Sequence, residues 1–415
     1  MNPTRLLAVL ALAAATLTAQ RTVVIDASNG PGTDHTTLAA AFANLQANDL
    51  LVVRAGTYVG VNATTSLSFG MQGEGNPIVT PASNATPAMT IAMFGGAVQR
   101  VSIRGMTFRS DFTGQWALNV RTSSSSWPAP TVHLDSCVVE SVSPQADRVA
   151  LLGEGIGLTV QHCQLQTSQL IGCAATIVDS TVIGQDLSNW QGSTQRAQTA
   201  LDILRSTVWI VDSTLRAGSS FGVYAEPAAG IGITDSSFTS GSSVRLCGST
   251  IVAADPQPNS QWPTPFVLQN YLPFYPFQAT VAWESTVSLQ PSPSGQVFSS
   301  GLVSQPRSIA CASATSAPLG GTFTTTVHGN QNEIAVVYAA LTTYALPVLG
   351  TPAFLNLAAA SSLGAAVLPA NGSFGFPVAI PATPSLRGTV IECSGATLSG
   401  TGLLEITNPT AGIVQ

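Results

Sequence analysis

Four aspartates, Asp135, Asp179, Asp212 and Asp235, recur at the polar corner of similar short segments, and each is followed by serine. If those segments stack like neighbouring strands, about 4.8 Å apart, their carboxylates form a row. Such a row repels itself unless cations or hydrogen bonds compensate, so it would make a Ca²⁺-binding or sugar-binding edge. Aspartate also suits such a corner without any ligand, because it tolerates left-handed backbone and bonds its own turn. The sequence favours this corner role and leaves the ligand-binding edge open. Asp202, Arg205 and Glu154 lie beside apolar stretches, but no spacing assigns them a role.

The remaining reactive side chains are sparse. His35, His133, His162 and His328 are scattered and no cysteine pair has the spacing of a zinc site, so no metal centre is expected. Cys311 and Cys393 sit in two apparent strands of the C-terminal segment and are the expected disulfide. Cys137 and Cys163 occupy matching positions in two similar stretches, either as a second bridge or as stacked buried thiols. Gly218-Ser219-Ser220-Phe221-Gly222 has the spacing of a serine-hydrolase elbow. That elbow needs a strand-to-helix turn, and this one falls between strands.

The elements that would position these residues are short strands. Val101–Phe108, Val132–Val139, Leu158–Leu165, Ile177–Val182, Trp209–Leu215 and Ile231–Phe238 each read as strand, polar corner, strand, at spacings centred on the low twenties. Units of that kind cannot bury their own apolar face and must stack as a solenoid. A further copy at Leu246–Thr250 comes only 13 residues after Asp235, so it is expected on a different face. Ahead of the repeats, Val23–Asp26 and Leu50–Arg54 read as strands around a short helix, in which Leu38, Ala41, Phe42 and Leu45 share a face. Residues 255–280 alternate proline with aromatics. They are expected to be irregular, as a cap on the solenoid or as an aromatic platform for sugar stacking. From 306 to 415, strands separated by Gly, Pro and Asn turns suit a β-sandwich.

Composition bounds the function. The 415 residues carry 14 basic side chains, all arginine, and 20 acidic ones, for a net charge of −6; charged residues are 8% and hydrophobic residues 45%. Nucleic acid is a poor partner for an acidic chain with so few cations. Residues 1–19 read as a signal peptide: Arg5, an apolar run from Leu6 to Leu17, then Ala19. The run is too short to span a bilayer, and nothing later is long and apolar enough to do so. The expected location is therefore secreted or cell-surface.

The block Val24-Ile25-Asp26 through Thr37–Ala41 to Asp49–Tyr58 resembles the opening of pectin-lyase-like right-handed parallel β-helix proteins. The resemblance covers about residues 22–300, and it implies an all-β fold: a right-handed parallel β-helix over 20–300, followed by the sandwich. Leu349-Gly350, Ala370–Phe374, Ile380-Pro381 and Pro384–Gly388 look like a sandwich module of exported bacterial proteins, which implies attachment or display. The superfamily contains lyases, methylesterases and polygalacturonase-type hydrolases. Their motifs are missing here: there is no Asp-Asp pair, no His flanked by two Gly and no Arg-x-Pro-x-x-Arg, and Gln185-Asp186-Leu187 only approaches the esterase Gln-Asp-Thr. The expectation is a non-catalytic protein that binds polysaccharide or cell-envelope glycan. The alternative is a polysaccharide lyase or glycoside hydrolase with a divergent site. No cofactor is expected beyond Ca²⁺ at the aspartate row.

Overall fold

The computed structural model describes residues 20–415 except 85, 95–98, 112–115, 123–128, 143–148, 187–196, 220–227, 236–240, 255–265, 272–278, 292–294, 342, 349–350 and 356–359. The signal-peptide expectation, Ser220 to Gly222 of the elbow and most of the proline-rich segment therefore lie outside the described residues.

The chain folds as a right-handed parallel β-helix followed by a β-sandwich. Among the described residues, three parallel sheets of eleven, nine and eight strands form its walls, called here the first, second and third sheets. One coil contributes a strand to each, as in Thr131–Asp135, Val138–Ser141 and Leu151–Glu154. In-register pairing carries Arg104 onto Asp135, Gln161, Val178, Val211 and Cys247 along the first sheet. Alternation then fixes the faces. Val132, Leu134, Leu158, Val160, Ile177, Ile210 and Leu246 point inward and join one continuous apolar core. A single coil has no interior of its own, so this core exists only through stacking.

Coil length runs from 17 residues, Thr159 to Thr176, to 37, Arg245 to Ala282. The low-twenties spacing expected from the sequence therefore holds only for some coils, because the connections into and out of the third sheet vary in length while the strands change little. The short helix Leu38–Ala43 closes the N-terminal end. Thr37 caps it by accepting the Ala40 N–H at 3.2 Å, and Leu38 and Ala41 enter the core. The proline-rich segment is not irregular throughout. Leu268–Asn270 and Ala279–Trp283 are strands of the third and first sheets, and the prolines fall in the intervals around them.

The turns after the six first-sheet strands from Arg100–Arg104 to Ser243–Cys247 each use one residue in left-handed conformation: Gly105, Ser136, His162, Asp179, Asp212 and Gly248, with φ between 42° and 61°. The next residue points inward and builds a hydrogen-bond ladder. Cys137 N–H donates to Cys163 Sγ at 3.4 Å, Cys163 N–H to Ser180 Oγ, Ser180 N–H to Ser213 Oγ and Ser213 N–H to Ser249 Oγ, each of the last three at 3.1 Å. A second ladder, Cys173 to Ser206 to Ser242, follows the third sheet. These small polar side chains satisfy corner N–H groups that would otherwise be buried without partners.

Among the described residues the C-terminal strands form two antiparallel sheets over a shared core, and Thr343–Val348 pairs with Thr351–Leu355 in a separate two-stranded sheet. One orders Cys311–Ala314, Thr322–His328 and Ser373–Ala379. The other contains Ser361–Val367, Ile334–Ala340, Val390–Leu398 and Leu404–Ile406. Phe323, Val327, Phe376, Val337, Ile391 and Cys393 fill the space between them.

The outer side of the first sheet is covered. His133, Thr159, Thr176, Trp209 and Ala282 point away from the solenoid core, yet all are buried. Gln161 Nε2 donates to Thr410 Oγ1 at 3.0 Å, and Arg100 donates to the Leu341 carbonyl at 2.7 Å. Val178, Trp209, Val211, Cys247, Ala282, Ile309 and Cys311 form an apolar cluster across this seam.

The expected Cys311–Cys393 disulfide is not formed, and all six cysteines are free and buried. The two side chains face opposite ways. Cys393 lies inside the sandwich core, whereas Cys311 lies in the seam beside Cys247. Cys137 and Cys163 are stacked thiols.

Candidate functional site at the solenoid–sandwich seam

Asp135 ends the strand Thr131–Asp135 and points toward the sandwich, because Val132 and Leu134 take the inward positions. Its Oδ1 is 2.9 Å from His162 Nδ1, and its Oδ2 accepts the Ser316 hydroxyl at 2.8 Å and lies 3.1 Å from Arg104 Nε. Burial alone would raise the Asp135 carboxyl; hydrogen bonds from His162 and Ser316 and the Arg104 charge together hold it below the ordinary range. The His162 imidazole is raised, first by its hydrogen bond to Asp135 and against its own burial, with the Asp135 and Asp179 charges adding and Arg104 opposing. His162 Nε2 lies 3.7 Å from Asp179 Oδ2, and the two side chains are 36% and 70% exposed. This is a carboxylate-oriented imidazole with one face toward solvent, a pairing capable of proton transfer.

The four expected aspartates do not form one row. Asp179 and Asp212 do share the left-handed corner position of successive coils, beside His162. Asp135 lies one position earlier, in register with Gln161, and its carboxylate is committed to the seam. Asp235 is at a different corner, after the third-sheet strand Ile231–Ile233. There it accepts the Arg205 N–H at 2.8 Å and the Ser242 hydroxyl at 2.8 Å. The expectation about the last copy is therefore reversed: Leu246–Thr250 continues the first-sheet ladder, and the Asp235 copy departs from it. Among the described residues no group of three His, Cys, Asp or Glu side chains is arranged to hold a metal ion, and the dispersed aspartates do not fit Ca²⁺, which takes six or more oxygens.

Asp202, Arg205 and Glu154 stay apart from this seam, on and beside the third sheet. His162 and Arg104 are the site residues that sequence reasoning did not select. The signal was present: aligning Val132–Val139 with Leu158–Leu165 places His162 on Ser136, one coil above Asp135.

The corner row continues to Glu284, which accepts the Gly248 N–H at 3.1 Å. It ends in a cleft of about 490 Å³ lined by Trp283, Glu284, Thr286, Arg307, Ser308 and Asn330 among others. Trp283 is held by an indole hydrogen bond to Ser304 Oγ at 2.9 Å and by a tilted contact with Phe298. Asn330 accepts the Ser308 hydroxyl at 2.8 Å and donates to Glu333 at 2.6 Å. The cleft thus sets a fixed aromatic ring beside a guanidinium, a carboxylate and an amide.

No protein-family model and no curated protein matches the sequence. Among solved structures, a crystal structure of a pectin methylesterase mutant in complex with a hexasaccharide aligns with a TM-score of 0.38 and 11% identity. The alignment covers 61% of this chain and 90% of that one.

Proposed function

We propose that this chain is a secreted or cell-surface protein that binds carbohydrate or cell-envelope glycan without turning it over, using the cleft at the C-terminal end of the solenoid. In this reading residues 1–19 are removed on export, residues 20–300 form the binding solenoid and residues 306–415 form the sandwich module, which buries the outer side of the first sheet.

The observation that carries it is the make-up of the cleft. A sugar ring offers apolar C–H faces and a rim of hydroxyls. An indole complements the first, while a guanidinium, a carboxylate and an amide complement the second. Neutral glycans suit it better than strongly acidic ones, because Glu284 and the Asp179 and Asp212 corners lie along the approach.

The test is binding of the full chain to an array of neutral and acidic glycans, followed by titration of the best ligand. Arg307→Ala is expected to weaken binding at least tenfold with little change in thermal midpoint. Failure to retain any glycan, or equal binding by the variant, overturns the reading.

A second reading, a polysaccharide-active enzyme, is favoured by the Asp135–His162 pair alone. It requires release of reducing ends or unsaturated product that His162→Gln abolishes.

A further inference from the structure

We infer that Cys247 and Cys311 are a covalent attachment point between solenoid and sandwich, a disulfide-forming pair that locks the seam. Their placement follows from how the sandwich docks. Ser316 reaches Asp135, the Ala314 carbonyl lies 3.5 Å from Gln161 Nε2, and Cys311 lies in one apolar cluster with Cys247. In register, Asp135, Gln161, Val178, Val211 and Cys247 are successive rungs of the first sheet. The segment 311–316 therefore runs along the solenoid axis across these rungs. Five residue steps of strand cover roughly 16 Å, and four coil steps roughly 19 Å, which is why the two thiols come opposite each other.

The other cysteines differ in kind. Cys137 and Cys163 are rungs of an in-register parallel ladder, with parallel side-chain directions and a separation near 4.8 Å, wider than the roughly 3.8 Å between bonded Cβ atoms. Their sulfurs are already engaged: Cys137 Sγ with the Ile103 and Asp135 carbonyls, and Cys163 Sγ with the Gln161 carbonyl at 3.0 Å. Ser180, Ser213 and Ser249 take the same role in later coils, so it needs only a small polar atom. Cys247 and Cys311 instead come from two elements facing each other. Contact with Cys311 and burial both push the Cys247 thiol well above its ordinary pKa.

The bond forms by exchange with a small-molecule disulfide such as oxidised glutathione, or with a disulfide-exchange oxidase. The thiolate of one cysteine attacks the oxidant and expels one thiolate, leaving a mixed disulfide. The second cysteine attacks that intermediate and expels the other thiolate. The two protons from Cys247 and Cys311 end on the two released thiols, so the protein is oxidised by two electrons and the oxidant reduced by two. Because thiolate formation is suppressed in the closed seam, the first exchange belongs to the interval before the sandwich docks, and docking then brings the second cysteine onto the mixed disulfide. The finished bond is then shielded from reductant.

The test uses the full chain, refolded with and without oxidised glutathione. It is then denatured, alkylated without reduction and mapped by mass spectrometry. The expected result is one linked peptide pair containing Cys247 and Cys311, two hydrogens lighter than its thiol form, with the other four cysteines alkylated. The oxidised protein should unfold several degrees higher than the reduced one. Cys247→Ser and Cys311→Ser should each abolish the link, and their reduced forms should melt close to reduced parent, which separates loss of the bond from failure to fold. Six alkylated cysteines after oxidative refolding, or a link through any other pair, overturns the inference.

Discussion

Ser316 and Asp135 lie 181 positions apart in sequence and share a 2.8 Å hydrogen bond. The same carboxylate holds Arg104 from the preceding coil and His162 from the next, so one buried side chain ties three coils to the sandwich. Asp135→Ala leaves a buried guanidinium contact and a seam hydroxyl without their acceptor. The expected loss is about 2–3 kcal/mol in chemical denaturation. Ser316→Ala, which leaves the charged partners in place, is expected to cost about 1 kcal/mol. Equal effects from the two substitutions would remove Asp135 from its central position.

The His162–Asp135 pair gives the seam a pH signature. The folded pKa of His162 is raised, so its contribution is complete below its unfolded value and is lost as pH rises through the folded one. The folded pKa of Asp135 is lowered, so its contribution is present above its unfolded value and lost as pH falls through the folded one. Stabilisation from the pair is therefore fullest between about pH 4 and 6.5. Thermal midpoints of parent and His162→Gln, measured across pH, should differ most in that window and converge above it. A difference that does not change with pH would show that the imidazole contributes packing alone.

The strands were legible because stacking leaves a simple mark: Val132 and Leu134, Leu158 and Val160, or Ile177 alone with Val182 across the corner, alternate with polar neighbours. Aspartate at the corners was legible too, because left-handed backbone selects a short list of residues. Asp235 was misplaced since the third-sheet corner obeys the same chemistry as the first, and local sequence does not say which wall a strand joins. The seam was not legible at all. Nothing in the types or alternation of His133, Thr159, Thr176 and Gln161 distinguishes them from solvent-facing residues, and only docking of the sandwich buries them. The Cys311–Cys393 expectation failed for the same reason, since it assumed that the sandwich had only its own core to fill.

The corner aspartates separate two roles cleanly. Asp179 and Asp212 have φ of 42° and 47°, in the region where glycine carries no Cβ penalty. Asp212→Gly and Asp179→Gly are expected to leave the thermal midpoint unchanged or slightly raised. If the corner row also contacts glycan, the same variants lose affinity. An unchanged midpoint with unchanged glycan binding would reduce both residues to turn formers.

The serine ladder predicts a position-specific cost. Ser213 Oγ accepts the Ser180 N–H at 3.1 Å and donates to the Val211 carbonyl at 2.7 Å, so Ser213→Ala orphans a buried N–H. The expected cost is about 1–3 kcal/mol. Cys163→Ser keeps an acceptor of the type used one coil later and is expected to cost less than 1 kcal/mol. Denaturation of the two variants under reducing conditions checks the contrast, and the reverse order would refute the ladder as the source of corner stability.

His133 and Glu392 test whether the seam is held by charge or by shape. The imidazole Nε2 contacts the Glu392 carboxylate where both side chains are almost fully buried. Burial pushes the nearby Arg100 guanidinium down from its usual pKa, against the Glu392 charge that supports it. Removing the carboxylate alone leaves the half-buried Arg100 without its neutralising neighbour, so Glu392→Leu is expected to cost about 3–5 kcal/mol. His133→Leu alone keeps the carboxylate against Arg100 and should cost less. In the double variant His133→Leu/Glu392→Leu, apolar packing replaces one polar contact while Arg100 still donates to the Leu341 and Val390 carbonyls. It should therefore recover part of the loss. Urea denaturation of the two single variants and the double gives the coupling energy directly. A coupling near zero would mean that the sandwich is held by the apolar cluster around Trp209 and Cys247, with the charges merely accommodated.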